Sequence, residues 1–214
     1  MKLEGLFWGL VLILFTLIYI DRTSVRKVNI SPRFKPTVIE NPIWYSTLYR
    51  EGVIIGKTYY CPAGKLSSGV GNTQDVIPVK DTAEAFHILR ATMKYYRNVI
   101  VKRWSYLNED QINAVVSLAM NCKWDTVFNS SFSRRLDKQK KPNFINYCKY
   151  YSKRKSKYVV SYNLLQCRLY EQGLFDGMEE VTWRHPITKE VKIFNIDSIQ
   201  SFYKKEWVLR VKYF

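Results

Sequence analysis

Histidine is nearly missing from this chain, with His87 and His185 the only two among 214 residues. Both lie outside every motif described below, so no Ser/His/Asp or Cys/His grouping is in evidence and acyl-bond hydrolysis is unsupported. Cysteine is scarce too. The four, at positions 61, 122, 148 and 167, form no C-x-x-C pair and have no histidine nearby, which argues against zinc. No metal or other cofactor is expected. If the domain is exported, a disulfide among Cys122, Cys148 and Cys167 stays open, but spacing does not choose the pair. Acidic residues number 18 against 34 lysines and arginines, a formal net charge of +16. That surplus favours polyanionic partners through an attraction that salt screens, and nucleic acid, anionic lipid and bacterial cell wall all qualify.

What is present is apolar substance. With 47% apolar and 15% aromatic residues, the chain can bury the core of one compact domain plus extensions. Residues 5–20, GLFWGLVLILFTLIYI, form one uncharged run between Glu4 and Asp21. At about 1.5 Å per residue the run spans roughly 24 Å, a little short of a bilayer core. Trp8 and Tyr19 near its ends suit the interfaces. The following IYIDRTSV lacks a small-x-small cleavage site, so residues 1–21 are expected to be an uncleaved transmembrane anchor rather than a removed signal. Arg22, Arg26, Lys27, Arg33 and Lys35 outnumber Lys2, which by itself would keep the following chain in the cytoplasm. Large domains translocate despite such a bias.

Residues 22–42 are basic, contain Pro32, Pro36 and Pro42, and show no hydrophobic period. They read as a tether. Residues 43–51, IWYSTLYRE, carry Ile43, Trp44, Tyr45, Leu48 and Tyr49 at helical spacing, and Gly52 offers a C-cap. Glu51 then ends a helix beside Val53, Ile54 and Ile55, a placement that suits a general acid. Next comes a hairpin-like run with the Cys61 thiol and the Ser67 and Ser68 hydroxyls, closing on the Gly69-Val70-Gly71 turn. Downstream, Asp81 with Glu84 has capping-box spacing, and Phe86, Leu89, Met93 and Tyr96 continue one helical face. A second helix opens at Asn108 with Gln111 at its third position and buries Ile112, Val115, Val116 and Ala119, which marks it as the central core helix.

Residues 133–158 interleave many lysines and arginines with Tyr147, Tyr150, Tyr151 and Tyr158. That pattern fits either a nucleic-acid surface or a solvated cationic face, and the second is preferred here because of the motifs that follow. Beyond Gly177, VTWRHPITKEVKIF predicts a hairpin, and the tail to Phe214 a further short helix and strand.

Three motifs in order resemble the phage-type lysozymes or endolysins of glycoside hydrolase family 24. Their pattern Y-x-D/C-P-A-G-x-x-T-x-G-x-G-x-T is met by Tyr59, Cys61, Pro62, Ala63, Gly64, Ser67, Gly69, Gly71 and Thr73. Their L-x-x-x-Q-x-x-A-L-x-S-F-x-F-N is met by Leu107, Gln111, Ala114, Val115, Ser117, Met120 and Asn121, followed by Phe128 and Ser131. Their G-L-x-x-R-R-x-x-E-x-x-L-F reads NLLQCRLYEQGLF, with Leu164, Arg168, Glu171, Leu174 and Phe175 matching. Two departures touch the site: Cys61 follows Glu51 by ten residues instead of nine, and Ser67 replaces Thr. A bulge at Gly56 would absorb the extra residue. In the third motif Cys167 and Asn163 replace Arg and Gly.

The resemblance covers roughly residues 40–177. It implies an α+β, mainly helical lysozyme-like domain over 43–177 with a small β-hairpin lobe, followed by an extension over 178–214. It also implies hydrolysis of the β-1,4 bond between N-acetylmuramic acid and N-acetylglucosamine of peptidoglycan, for host lysis or local wall opening. Glycosidic cleavage needs a proton donor and, in inverting enzymes, a group that activates water on the opposite face of the sugar. Glu51 is then the acid, Cys61 and Ser67 position the water, and Asn121 lies near the substrate. Arg168 and Glu171 read as a structural or helix-surface ion pair. The expected partners are peptidoglycan and, through residues 5–20, the inner membrane, with a monomeric domain facing the periplasm or wall and no nucleic acid. A lysozyme fold that only binds glycan, a lytic transglycosylase and a basic nucleic-acid-binding membrane protein are the alternatives.

Overall fold

The computed structural model describes residues 41–214 apart from 62, 63, 74, 75, 123, 153–156 and 185–188. The expected anchor and most of the expected tether lie outside the described residues. Among the described residues, no helix is long and apolar enough to cross a membrane.

Helix α1 (Ile43–Glu51) buries Ile43, Trp44 and Leu48, and ends where Gly52, at φ 72°, returns its N–H to the Leu48 carbonyl at 2.9 Å. Strands β1 (Val53–Tyr60) and β2 (Leu66–Gly69) follow as an antiparallel pair. Their register shifts between Ile54 and Tyr59, and Gly56 sits inside the shift at φ 86°. The extra length before Cys61 is taken up there, at the one residue of that stretch without a Cβ.

Two long helices supply the floor of the domain. Helix α2 (Thr82–Arg103) starts from Asp81, whose carboxylate accepts the Glu84 N–H at 2.8 Å, while Glu84 accepts the Lys80 N–H at 2.7 Å. Helix α3 (Glu109–Cys122) opens with a reciprocal box: Asn108 accepts from Gln111 N–H at 2.9 Å and Gln111 from Asn108 N–H at 3.1 Å. Both boxes satisfy N–H groups that a helix start leaves unpaired. All residues of α3 from Ile112 to Ala119 are buried, in keeping with its expected place at the centre.

Short helices α4 (Trp124–Phe128) and α5 (Ser131–Asp137) turn the chain back. The basic stretch then forms something the sequence reading did not anticipate, a hairpin of β3 (Lys149–Ser152) and β4 (Lys157–Val160). Tyrosine and valine favour strands, but dense lysine masked their alternation. Helix α6 (Tyr162–Asp176) packs along α3 and stops at Gly177 in the left-handed region, φ 64°.

The last third of the extension is where the tail meets the front of the domain. Strands β5 (Glu180–Arg184) and β6 (Val191–Asn195) make the expected hairpin, followed by helix α7 (Ile196–Glu206) and β7 (Val211–Tyr213). Strand β7 adds to β1 in parallel and completes a three-stranded sheet, β2-β1-β7. Helix α7 lies on α1, with Tyr49 meeting Phe202 edge to face and Tyr203 at a tilt, at ring-centre distances of 5.2 and 5.3 Å. Residues 40–214 thus form one compact unit. All four cysteines are free thiols.

Candidate active site

Glu51 stands at the junction of α1 and the β1–β2 hairpin, partly exposed at 24% of its side chain. The hydrogen bonds found for its carboxylate go to Oε1. Arg50 Nε donates to it at 2.8 Å and Asn121 Nδ2, from the end of α3, at 3.4 Å. Oε2 lies against Gly71: a Cβ built there would come within 2.7 Å of it. Gly71, at φ 67°, is needed both for its backbone and for this approach.

Beneath the carboxylate runs a closed ring of polar groups. Arg50 Nη1 donates to Ser117 Oγ at 3.2 Å and lies 3.6 Å from Glu171 Oε1. Ser117 Oγ donates to Glu171 Oε1 at 2.5 Å. Arg168 pairs with Glu171 through Nη1 and reaches back to Asn121 Oδ1 through Nη2 at 2.7 Å. Two arginines and two glutamates balance. Arg168 and Glu171 are almost wholly buried, at 0% and 1%, so of the two expected readings, structural or helix-surface, the pair is the structural one. Buried charges persist when paired and hydrogen-bonded, although Arg50 Nη2 and Arg168 Nε are buried here without a hydrogen-bond partner among the described residues. Burial alone would lower the Arg50 guanidinium, but Glu51, Cys167 and Glu171 outweigh it and hold it above its ordinary value.

The hairpin supplies the opposite side. Cys61 is half-buried, and its tight loop is closed by Cys61 N–H to Lys65 O and Gly64 N–H to Cys61 O, both 2.8 Å. Ser67 is buried, and its hydroxyl donates to Lys65 O at 3.3 Å. Opposite Ser67 in the ladder is Tyr59, whose hydroxyl accepts the Gly71 N–H at 3.1 Å. Its phenol is pushed up to about 12, first by burial and then by Glu51, with Cys61 adding to the rise. Burial likewise pushes up the Cys122 and Cys167 thiols, which makes them poor nucleophiles.

Of the expected residues, Glu51 and Asn121 come together directly. Cys61 and Ser67 stand on the hairpin, linked to Glu51 through Tyr59 and Gly71. Sequence reasoning missed Arg50, and it did not give Ser117 a part. A signal was there: Ser117 and Asn121 are one helical turn apart on α3, as Arg168 and Glu171 are on α6, polar pairs on otherwise apolar faces. Among the described residues, no group of three His, Cys, Asp or Glu could hold a metal ion.

A carboxylate fixed by one oxygen, facing a hairpin with a thiol and hydroxyls, can deliver a proton to a group bound between them. Known proteins agree with the architecture. A family model described as phage lysozyme matches residues 50–171. The endolysin from Escherichia coli O157:H7 phage FAHEc1 superposes with a TM-score of 0.52 at 21% identity, over 64% of this chain and 91% of that one. The muramidase domain of SpmX from Asticaccaulis excentricus gives 0.53 at 18% identity, over 64% of this chain and 95% of that one. At such identities the likeness is one of fold. A comparison with curated proteins returns no match.

Proposed function

The chain belongs to the phage lysozyme family, and we propose that it is a muramidase that hydrolyses the N-acetylmuramic acid to N-acetylglucosamine β-1,4 bond of peptidoglycan. The observation that carries this reading is the Glu51 carboxylate, held through Oε1 by Arg50 and Asn121 and set by Gly71 against the hairpin that bears Cys61 and Ser67. Glu51 protonates the leaving glycosidic oxygen. Water attacks the anomeric carbon from the opposite face, oriented by Cys61 and Ser67, as the old C–O bond breaks; the attacking water's extra proton passes to solvent, and solvent reprotonates the Glu51 carboxylate. The cationic surface, net +16, favours the anionic wall. Residues 5–20 anchor the protein in the inner membrane as a single pass, and the monomeric domain works on the periplasmic side, in host lysis or local wall opening.

One observation favours a second reading, a lysozyme fold that only binds glycan. The Ser67 hydroxyl is buried and its proton is spent on Lys65 O.

The test is release of muropeptides from purified peptidoglycan by the full chain, wild type beside Glu51→Gln, with products read by mass spectrometry. Reducing ends from the wild type alone support the muramidase with Glu51 as its acid. Anhydro-sugar ends would make it a lytic transglycosylase, and glycan binding with no release would leave the wall-binding module.

A further inference from the structure

We propose that Tyr59 is a positioning residue of this site: its hydroxyl locks the Gly71 turn against the Glu51 carboxylate and so fixes the gap between the acid and the hairpin. The inference rests on the muramidase reading above. Three observations converge on it. Residues opposite each other in an antiparallel ladder share a face, and side chains alternate along each strand. Tyr59 pairs with Ser67, and the same register, continued by the bond from Cys61 N–H to Lys65 O, puts Cys61 on their face. Tyr60 and Leu66 take the other face, where both are exposed. Tyr59, Cys61 and Ser67 therefore form one row.

The second observation is the contact chain. Tyr59 Oη accepts the Gly71 N–H at 3.1 Å, and Gly71 touches Glu51 so closely that a Cβ would strike Oε2. With Oε1 tied to Arg50 and Asn121, Oε2 is the oxygen left for the proton, and its surroundings are set by Gly71. A hydroxyl 12 residues away in sequence thus places the wall next to the reacting oxygen.

The third is the state of the phenol. Half-buried and under the influence of both Glu51 and Cys61, it is raised to about 12, so it stays protonated at any pH where a lysozyme-like enzyme would work. It spends a lone pair on the Gly71 N–H and still carries a proton that it can donate. A neutral donor there steadies negative charge or a bound water without repelling either.

The experiment compares full-length wild type, Tyr59→Phe and Tyr60→Phe on a soluble peptidoglycan oligosaccharide, with kcat, KM and thermal midpoint measured on the same samples. Tyr59→Phe keeps the ring and loses only the oxygen. The expected result is a fall in kcat of at least ~10-fold, with KM within about twofold and the midpoint little changed, while Tyr60→Phe behaves as wild type. Tyr59→Phe with wild-type kcat would overturn the proposal, and so would a loss confined to KM or to stability. Replacing Tyr59 by 3,5-difluorotyrosine keeps the shape and makes the phenol more acidic. Turnover should then fall at alkaline pH where wild type persists, and an unchanged profile would overturn the requirement for the proton. If wild type itself releases nothing, the muramidase reading fails; if wild type is active and both Tyr59 replacements match it, only the role of Tyr59 fails.

Discussion

Asn121 joins Glu51 to Arg168: its amide nitrogen lies 3.4 Å from Glu51 Oε1, and its amide oxygen accepts from Arg168 at 2.7 Å. An amide can do both because it carries a donor and an acceptor on one carbon. The charge of the buried arginine is thereby kept one residue away from the acid while still fixing its orientation.

Asn121→Ala should break that joint. Turnover of peptidoglycan is expected to fall ~10-fold or more, since small misplacements of a catalytic group are expensive. Stability should drop by about 1–3 kcal/mol because Arg168 Nη2 loses its partner. Turbidity clearance and thermal melting check the two separately. Full activity in Asn121→Ala would mean that Arg50 alone sets the carboxylate.

Arg168→Met should cost about 3–5 kcal/mol, the range for removing one member of a buried ion pair. The larger part comes from leaving Glu171 with Arg50 as its one cation among the described residues, 3.6 Å away and shared with Glu51, so Arg168→Met combined with Glu171→Met should lose less than the sum of the two single variants. Urea unfolding of the single and double variants decides it. Strictly additive losses would show that the two side chains are not coupled in the folded protein.

Much of this site could be read ahead of the structure because its signals are local. Glu51 was recognisable from the helix period before it and Gly52 after it, and the Asp81–Glu84 and Asn108–Gln111 boxes are spelled within four residues each. The ring under Glu51 was not legible in the same way. Arg50, Ser117, Arg168 and Glu171 meet only once α1, α3 and α6 have packed, and nothing in the spacing of Arg168 and Glu171 says whether their face looks outward or in. The parallel pairing of Val53 with Val211 and Ile55 with Tyr213 joins the two ends of the domain, and no local period reports it. The β3–β4 hairpin was hidden for another reason, that charge overrode a β-forming tyrosine and valine pattern.

Asp137 gives a pH dependence whose sign can be worked out. Its carboxylate accepts from Arg103 at 2.9 Å and from the indole N–H of buried Trp104 at 2.8 Å. These bonds, Arg103 first and then Trp104, hold it below the usual carboxylate range. A folded-state value below the unfolded one, about 3.9, gives stability that is present above that pH and lost as pH falls through the folded value. Asp137→Asn should therefore be less stable than wild type at pH 7, by under ~1 kcal/mol because the pair is partly exposed. The gap should close as pH falls below about 3.9. Urea midpoints of both proteins across that range are the measurement, and a gap that stays constant with pH would rule the ionic contribution out.

Gly173 tests whether the tail is seated on the domain through close contact. It lies within α6, where alanine would normally stabilise the helix by about 1 kcal/mol. Here a Cβ would come within 2.2 Å of Ile196 Cδ1 and 2.6 Å of Ile196 Cγ1, the first residue of α7. Overpacking of a tight contact costs roughly 1–3 kcal/mol, so Gly173→Ala should be destabilising despite its better helix propensity. Ile196 is buried in the cluster with Tyr203 and Tyr170, and Tyr203 packs on Tyr49 of the helix that ends in Glu51. Displacing α7 should accordingly lower turnover as well as the melting temperature. Ile196→Val combined with Gly173→Ala removes the colliding Cδ1 and should recover part of both losses, although Ile196→Val alone opens a small cavity and is mildly destabilising. Gly173→Ala with an unchanged or raised melting temperature would show instead that α7 and its hairpin move away from α6 at little cost, and that the Glu51 helix does not depend on them.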